Sequence, residues 1–334
     1  MKQVNIHAPG RVEIDEVPEP TLGPRDAIIR VSACGICGSD LGYIKLGGLA
    51  GPSDTPMPLG HEFAGIVESV GSEVDGIALG ARVVVNPMSN QNQIGNGGAQ
   101  GAFAPRILVP NVADGNALFE IPENLPMDLA ALAEPLSVGL QGVDRMNPQP
   151  GEKAVIFGAG PIGLCAVASL RFRGIEDIIS VDLSRRRLEI ARKLGAKATL
   201  VPGSDDVWAA IRDLHGTAPL FGTPMAGTDF YIEASGAGVV IEEVITNAKS
   251  ETRLSVLGLH RTPIPINFLV LLLKSMTIVG SMAYPDDWSE TLELLGSTDL
   301  SPMITHRFAL DEFHAALAMA QSAEQGAKVM IVNH

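Results

Sequence analysis

Short apolar runs, each cut off by a turn residue, dominate the first 130 positions. Residues 12–14 (VEI), 27–32 (AIIRVS), 65–70 (GIVESV) and 82–85 (RVVV) read as strands, with Gly71 and Gly80 as turn punctuation. No long helical period appears before about residue 126. Residues 86–101 (NPMSNQNQIGNGGAQG) carry no apolar periodicity and read as a polar loop. After Pro150 the pattern changes. Residues 154–157 form a buried-strand run, followed by GAGPIG and an apolar helical stretch that reaches Arg173. A second strand, 178–181, is closed by Asp182. Ser184 then predicts an N-cap for the helix RRRLEIARKLGA, which Gly195 ends. Residues 198–201, 229–232 and 254–257 continue the strands, with helical segments between them. Such alternation predicts an α/β fold with a doubly wound parallel sheet behind a β-rich N-terminal part. The segment from residue 283 returns to mixed texture and ends in a strand at 328–332.

Composition narrows the functions open to this chain. Asp plus Glu number 38 against 24 Lys plus Arg, a net charge of −14, which argues against nucleic acid or an anionic membrane as a partner. Apolar residues make up 46% and charged ones 19%, enough for a core, and with aromatics at 4% that core must be aliphatic. A length of 334 residues predicts two domains or one large α/β unit. The three cysteines, Cys34, Cys37 and Cys165, are no disulfide framework and suit a reducing compartment. The N-terminal residues show no signal core. The longest apolar run, 268–273, is closed by Lys274 and is too short to span a bilayer. These features predict a soluble cytoplasmic protein.

Gly158, Gly160 and Gly163, with Pro161 and Ile162 between them, match G-x-G-x-x-G. The match follows a predicted strand, opens a predicted helix, and has an acid, Asp182, at the end of the next strand. That context predicts a dinucleotide site. Gly158 permits the turn, Gly160 lets the backbone approach the pyrophosphate, and Gly163 lets helix and strand pack closely. The helix N-terminus then offers free N–H groups to the phosphates. Asp182 favours NAD over NADP, because a carboxylate bonds a ribose 2′-hydroxyl and repels a 2′-phosphate. Arg185, Arg186 and Arg187 follow it. Arg187 is the candidate to lie over the adenine, the others being solvated helix residues.

Upstream, Cys37, His61, Glu62 and Glu134 each have an ordinary structural explanation. Cys34-Gly-Ile-Cys37 is open to a redox reading, although it lies in the β-rich part. Spacing alone leaves a metal site undecided. The words around these residues are CGICGSD at 34–40, GHEFAGIV at 60–67, EPLSVG at 134–139 and GAGPIGL at 158–164, with EASG at 233–236 and GAKV at 326–329. In this order they resemble the zinc-dependent medium-chain dehydrogenase/reductase family (alcohol dehydrogenase-like), nearest its sorbitol and threonine dehydrogenase branches. The resemblance covers essentially the whole chain.

What the resemblance implies is specific. The fold would be a GroES-like catalytic domain at 1–136, a Rossmann domain at 137–282, and a return to the catalytic domain at 283–334. One catalytic zinc would be held by Cys37, His61, Glu134 and Glu62, the last directly or through water, with a position open to substrate. Asp40 would orient the His61 ring, and Ser39 would accept the proton of the alcohol. Two departures stand out. The cysteine-free loop 86–101 lies where relatives carry a structural zinc, so none is expected here. The segment Leu41-Gly42-Tyr43 also lacks the histidine that relays the proton in many members, leaving water, Glu62, Tyr43 or Lys45 for that task. The expected activity is oxidation of a small polar secondary alcohol (a polyol, sugar acid or amino alcohol) to a ketone by an NAD-linked zinc enzyme. The rivals are a zinc-free reductase of the same fold and a nucleotide-binding sensor without turnover. A homodimer or homotetramer is expected, with MTIVGSM at 276–282 as a candidate pairing edge.

Overall fold

The computed structural model describes residues 1–322 and 326–333. The chain forms two compact units, residues 1–134 with 286–334, and residues 135–285.

The first unit is built on a seven-stranded sheet. Ile304–Phe308, Lys328–Val332, Ala27–Gly35, Glu62–Val70, Arg82–Val85 and Leu118–Glu120 lie side by side, and Arg106–Val109 pairs with one end of Ala27–Gly35. A three-stranded sheet of Lys2–Ala8, Arg11–Glu16 and Met57–Pro58 completes it. The core is mostly Val, Ile and Leu, as the low aromatic content requires, with Phe103 and Phe313 packed at a centroid distance of 5.0 Å. Strand register sets the neighbours of Gly35, which lies opposite Glu62 on one side and opposite Met330 on the other.

The second unit is a six-stranded parallel sheet in the order Ala198–Leu200, Asp177–Val181, Lys153–Phe157, Phe230–Glu233, Arg253–Val256, Thr277–Gly280. The order reverses direction at Lys153–Phe157, a doubly wound topology whose ligands lie at the carboxyl ends of the strands beside that reversal. Its strands are buried almost throughout, which is why they read as continuous apolar runs rather than alternating ones. Ser184 caps its helix, accepting from the Arg187 N–H at 3.4 Å, and Gly195 follows the helix end at φ +111°.

Two elements escape the apolar pattern. The first is a helix at Gly38–Leu46, where residues before 126 showed no long helical period. It is short, contains Gly42, and buries only Asp40 and Ile44, so it has no apolar stripe to read. Gly47 ends it at φ +82°. The second is a hairpin of Thr217–Leu220 and Thr223–Ala226, whose partly exposed strands turn at Phe221 and Gly222. Among the described residues no helix is long and apolar enough to cross a membrane.

Candidate active site

Cys37 caps the N-terminus of the helix Gly38–Leu46, and its own N–H donates to Asp40 Oδ2 at 2.8 Å. The other oxygen of that fully buried carboxylate, Oδ1, stands 3.4 Å from His61 Nδ1. One carboxylate thus orients both the cysteine's backbone and the imidazole. His61 follows Gly60, which adopts φ +95° and whose missing Cβ would lie 2.6 Å from the Phe103 nitrogen, so only glycine lets the chain pass there. The Cys37 sulfur, a His61 ring nitrogen and a Glu62 carboxylate oxygen come within 4.8 Å of one another. Ser39 Oγ lies 3.4 Å from His61 Nε2, on the side of the ring away from Asp40.

Glu62 is also one half of a buried ion pair. Lys328 Nζ donates to its two oxygens at 2.7 and 2.5 Å and to the Ile36 carbonyl at 3.2 Å, and both side chains are essentially inaccessible. Gly35 makes room for this pair. A Cβ there would stand 2.2 Å from Glu62 Oε2 and 3.3 Å from Lys328 Cδ. Lys328 belongs to the GAKV word, yet the sequence pattern assigns it no role. Nothing local signals that a lysine 266 residues away will meet this glutamate.

Glu134, in the first turn of Ala133–Asp144, is buried but stands outside the 4.8 Å set. Burial raises its pKa to about 7. His61 and Lys328 pull it down, while Glu62 and Asp40 push it up, so all of these charges lie within reach of it. Burial also disfavours a charged His61. The Asp40 carboxylate and Cys37 more than offset that and hold its pKa well above the ordinary value. Of the groups considered for relaying a proton, Lys45 is exposed and Glu62 is engaged by Lys328. Tyr43 is partly buried, and its hydroxyl donates to Asn96 Oδ1 at 3.1 Å.

A thiol, an imidazole and a carboxylate form a donor set suited to zinc. The buried His61 Nδ1 and Asp40 Oδ1 have no hydrogen-bond partner among the described residues, and they face each other at 3.4 Å. A metal-ligating imidazole turns its second nitrogen toward a carboxylate in this way. The residues fit the ion.

In the second unit, Gly158 turns at φ +99° against the backbone of Ala234 and Ser235. A Cβ on Gly163 would meet the Gly158 carbonyl oxygen at 1.8 Å. Gly160, by contrast, faces open space, its nearest neighbour being Arg187 Nη1 at 4.0 Å from where a Cβ would lie. It caps the helix Pro161–Phe172, with Pro161 at the first position and Ile162 after it. This bare helix N-terminus is a cradle of the kind a pyrophosphate fills. Asp182 accepts from the Ala159 N–H at 2.6 Å and from the Ser184 N–H at 2.7 Å, which anchors its carboxylate at the rim of that cradle. Burial lowers the pKa of Arg187, with Asp182 opposing. Arg185 instead bonds Ser204. Sequence reasoning missed a second anchor. The fully buried Glu233 accepts from Ser235 N and Oγ, Gly236 N and His260 Nε2 at 2.6–2.8 Å, which ties together the loops after two neighbouring strands.

Comparison with known proteins agrees with this architecture. The family model for the alcohol dehydrogenase GroES-like domain matches residues 23–123, and that for zinc-binding dehydrogenase matches residues 161–297. The chain is 32% identical to a (R,R)-butanediol dehydrogenase of Neisseria gonorrhoeae over 93% of both chains. It belongs to the zinc-dependent medium-chain alcohol dehydrogenase family. It is also 30% identical to the sorbitol dehydrogenase of Bacillus subtilis, covering 99% of this chain and 97% of that one. A zinc-binding dehydrogenase structure from Sinorhizobium meliloti 1021, bound to NADP, superposes with a TM-score of 0.85 at 29% identity, covering 99% of each chain. This medium-chain dehydrogenase is accordingly an oxidoreductase acting on alcohols.

Proposed function

We propose that the chain oxidises a small polar secondary alcohol (a polyol, sugar acid or amino alcohol) to the ketone, passing the hydride to NAD. The observation that carries this is the meeting of Cys37, His61 and Glu62 within 4.8 Å, with the far side of the His61 ring turned to Asp40. Cys37, His61, Glu62 and Glu134 would hold one zinc, Glu62 being shared with Lys328. Bound there, zinc supplies the Lewis acidity that lowers the pKa of a coordinated hydroxyl. Asp40 keeps the His61 ring oriented. Ser39, beside His61 Nε2, accepts the alcohol's proton. The hydride leaves the carbinol carbon for the nicotinamide, so one alcohol and one NAD⁺ give one ketone, one NADH and one proton.

The preference for NAD rests on Asp182, anchored where a 2′-phosphate would meet its charge. Asp182→Ala should move the NAD/NADP ratio of kcat/KM toward NADP by about tenfold. An unchanged ratio removes that role. A homo-oligomer is part of this reading. The sheet edge at Thr277–Gly280 is unpaired among the described residues, and Phe268, Leu269, Leu272 and Leu273 of the neighbouring helix are exposed. Three free thiols suit a reducing, cytoplasmic setting. The deciding experiment pairs metal analysis of the purified protein with NADH formation across a panel of alcohols and polyols. About one zinc per chain with turnover on a polar secondary alcohol is expected. Activity with far less than one zinc, or silence with zinc and cofactor bound, overturns the proposal.

A further inference from the structure

We propose that loop 86–101 acts on the active site through Asn96, a positioning residue. Asn96 fixes the Tyr43 hydroxyl as a hydrogen-bond acceptor and so makes the site favour an alcohol with a second hydroxyl beside the one oxidised. This rests on the dehydrogenase reading above and narrows its substrate to a vicinal diol segment rather than a 2-hydroxy carboxylate.

The loop is seated against the metal-binding segment. Ile94 is fully buried, and the Gly95 N–H donates to the Gln100 carbonyl at 2.7 Å. A Cβ on Gly95 would stand 2.3 Å from the oxygen of Gly60, the residue that leads into His61. The Ala102 N–H donates to that same oxygen at 2.9 Å. From this base Asn96 reaches the helix Gly38–Leu46. Its Nδ2 donates to the Ile94 carbonyl at 3.3 Å, which settles which end of the amide faces outward. Its Oδ1 then accepts from the Tyr43 hydroxyl at 3.1 Å.

An amide oxygen has no hydrogen to give, and a phenol has only one. The Tyr43 hydrogen is therefore committed to Asn96, and toward the rest of the site Tyr43 presents lone pairs only. Tyr43 follows Ser39 by one helical turn, and it lies close enough to His61, Asp40 and Cys37 for their charges to act on it. A substrate group meeting that oxygen gains by donating, as a hydroxyl does. A carboxylate there meets another acceptor and is repelled. Sites built to bond a particular hydroxyl reject analogues that lack it more strongly than apolar pockets reject a change in size.

The test compares 2,3-butanediol with lactate, a vicinal diol with a 2-hydroxy carboxylate. The wild-type enzyme should prefer the diol in kcat/KM. Asn96→Leu frees the Tyr43 hydrogen to donate to a carboxylate and should cut that preference about tenfold, the worth of one well-placed hydrogen bond. Asn96→Asp, which keeps an acceptor, should retain it. Zinc content and NADH affinity should be unchanged in both variants. Tyr43→Phe should show the same reduced preference as Asn96→Leu, and the double variant should lose no more, because the two residues act as one device. The inference fails if the wild-type enzyme has no diol preference, if Asn96→Leu lowers both alcohols equally, or if Asn96→Asp behaves like Asn96→Leu. A wild-type enzyme inert toward both alcohols with zinc and NADH bound instead overturns the dehydrogenase reading itself.

Discussion

The dinucleotide loop spans consecutive residues, 158–163, and works through its backbone. Its glycines are there for what a Cβ would strike or block. The proposed metal site would draw on side chains from positions 37, 61, 62 and 134, with Asp40 and Lys328 beside them, and would work through charge. The two regions therefore tolerate change in opposite ways. The loop is sensitive to added bulk at its glycines, whereas the proposed metal site would depend on each charge having its counter-charge.

Removing a ligand should separate the two most sharply. Cys37→Ser should lose the zinc and lower turnover by about a thousandfold or more, while NADH binding, read by fluorescence, stays near the wild-type value. Retained zinc and activity would show that the ligand assignment is wrong. Next comes the buried ion pair. In metal-free protein Lys328→Met strands the Glu62 carboxylate without its ammonium partner and should cost ~3–5 kcal/mol of stability. Adding Glu62→Gln to that variant should recover much of the loss, because a neutral amide is far cheaper to bury than a lone charge. Chemical denaturation of the two variants checks this, and equal destabilisation of both would remove the charge argument.

The loop gives the converse result. Gly160→Ala adds a methyl group in open space, so thermal stability should hold. NADH affinity should nonetheless fall about tenfold, because the methyl occupies the pyrophosphate's approach. A stable variant with unaltered affinity would mean that no phosphate lies there. The smallest effect is a pH dependence in the second unit, apart from both sites. Burial lowers the pKa of His215 to about 4, with Asp177 opposing, and its Nδ1 is paired with Thr228 Oγ1. The unfolded chain takes up this proton near its ordinary pKa of about 6.5, before the folded protein does. The contribution is thus fully present above that value and is lost as pH falls toward 4. Between pH 7 and pH 5 it should amount to about 1–2 kcal/mol, and His215→Gln should flatten that part of the stability profile.

Legibility in the sequence follows the same division. The strands of the parallel sheet could be read because burial on both faces makes them continuous apolar runs. The cap at Ser184 could be read because a cap is a local arrangement. The helix Gly38–Leu46 could not, although it carries Ser39, Asp40 and Tyr43, because only two of its residues are buried and one of those is an acid. Loop 86–101 could be recognised as a loop, but its attachment to Gly60 and Tyr43 depends on contacts that no periodicity reports.

By itself the sequence determined the nucleotide cradle, since turn, helix start and closing acid all lie within 25 residues and obey local rules of backbone space. Only the tertiary structure decided which charges meet around Cys37 and His61. Sheet register puts Gly35 between the strand of Glu62 and the strand of Lys328, and the missing side chain there lets a carboxylate and an ammonium meet in the dry interior. A pairing of that kind is set by packing between distant strands, and neither residue carries a mark of it in its own neighbourhood.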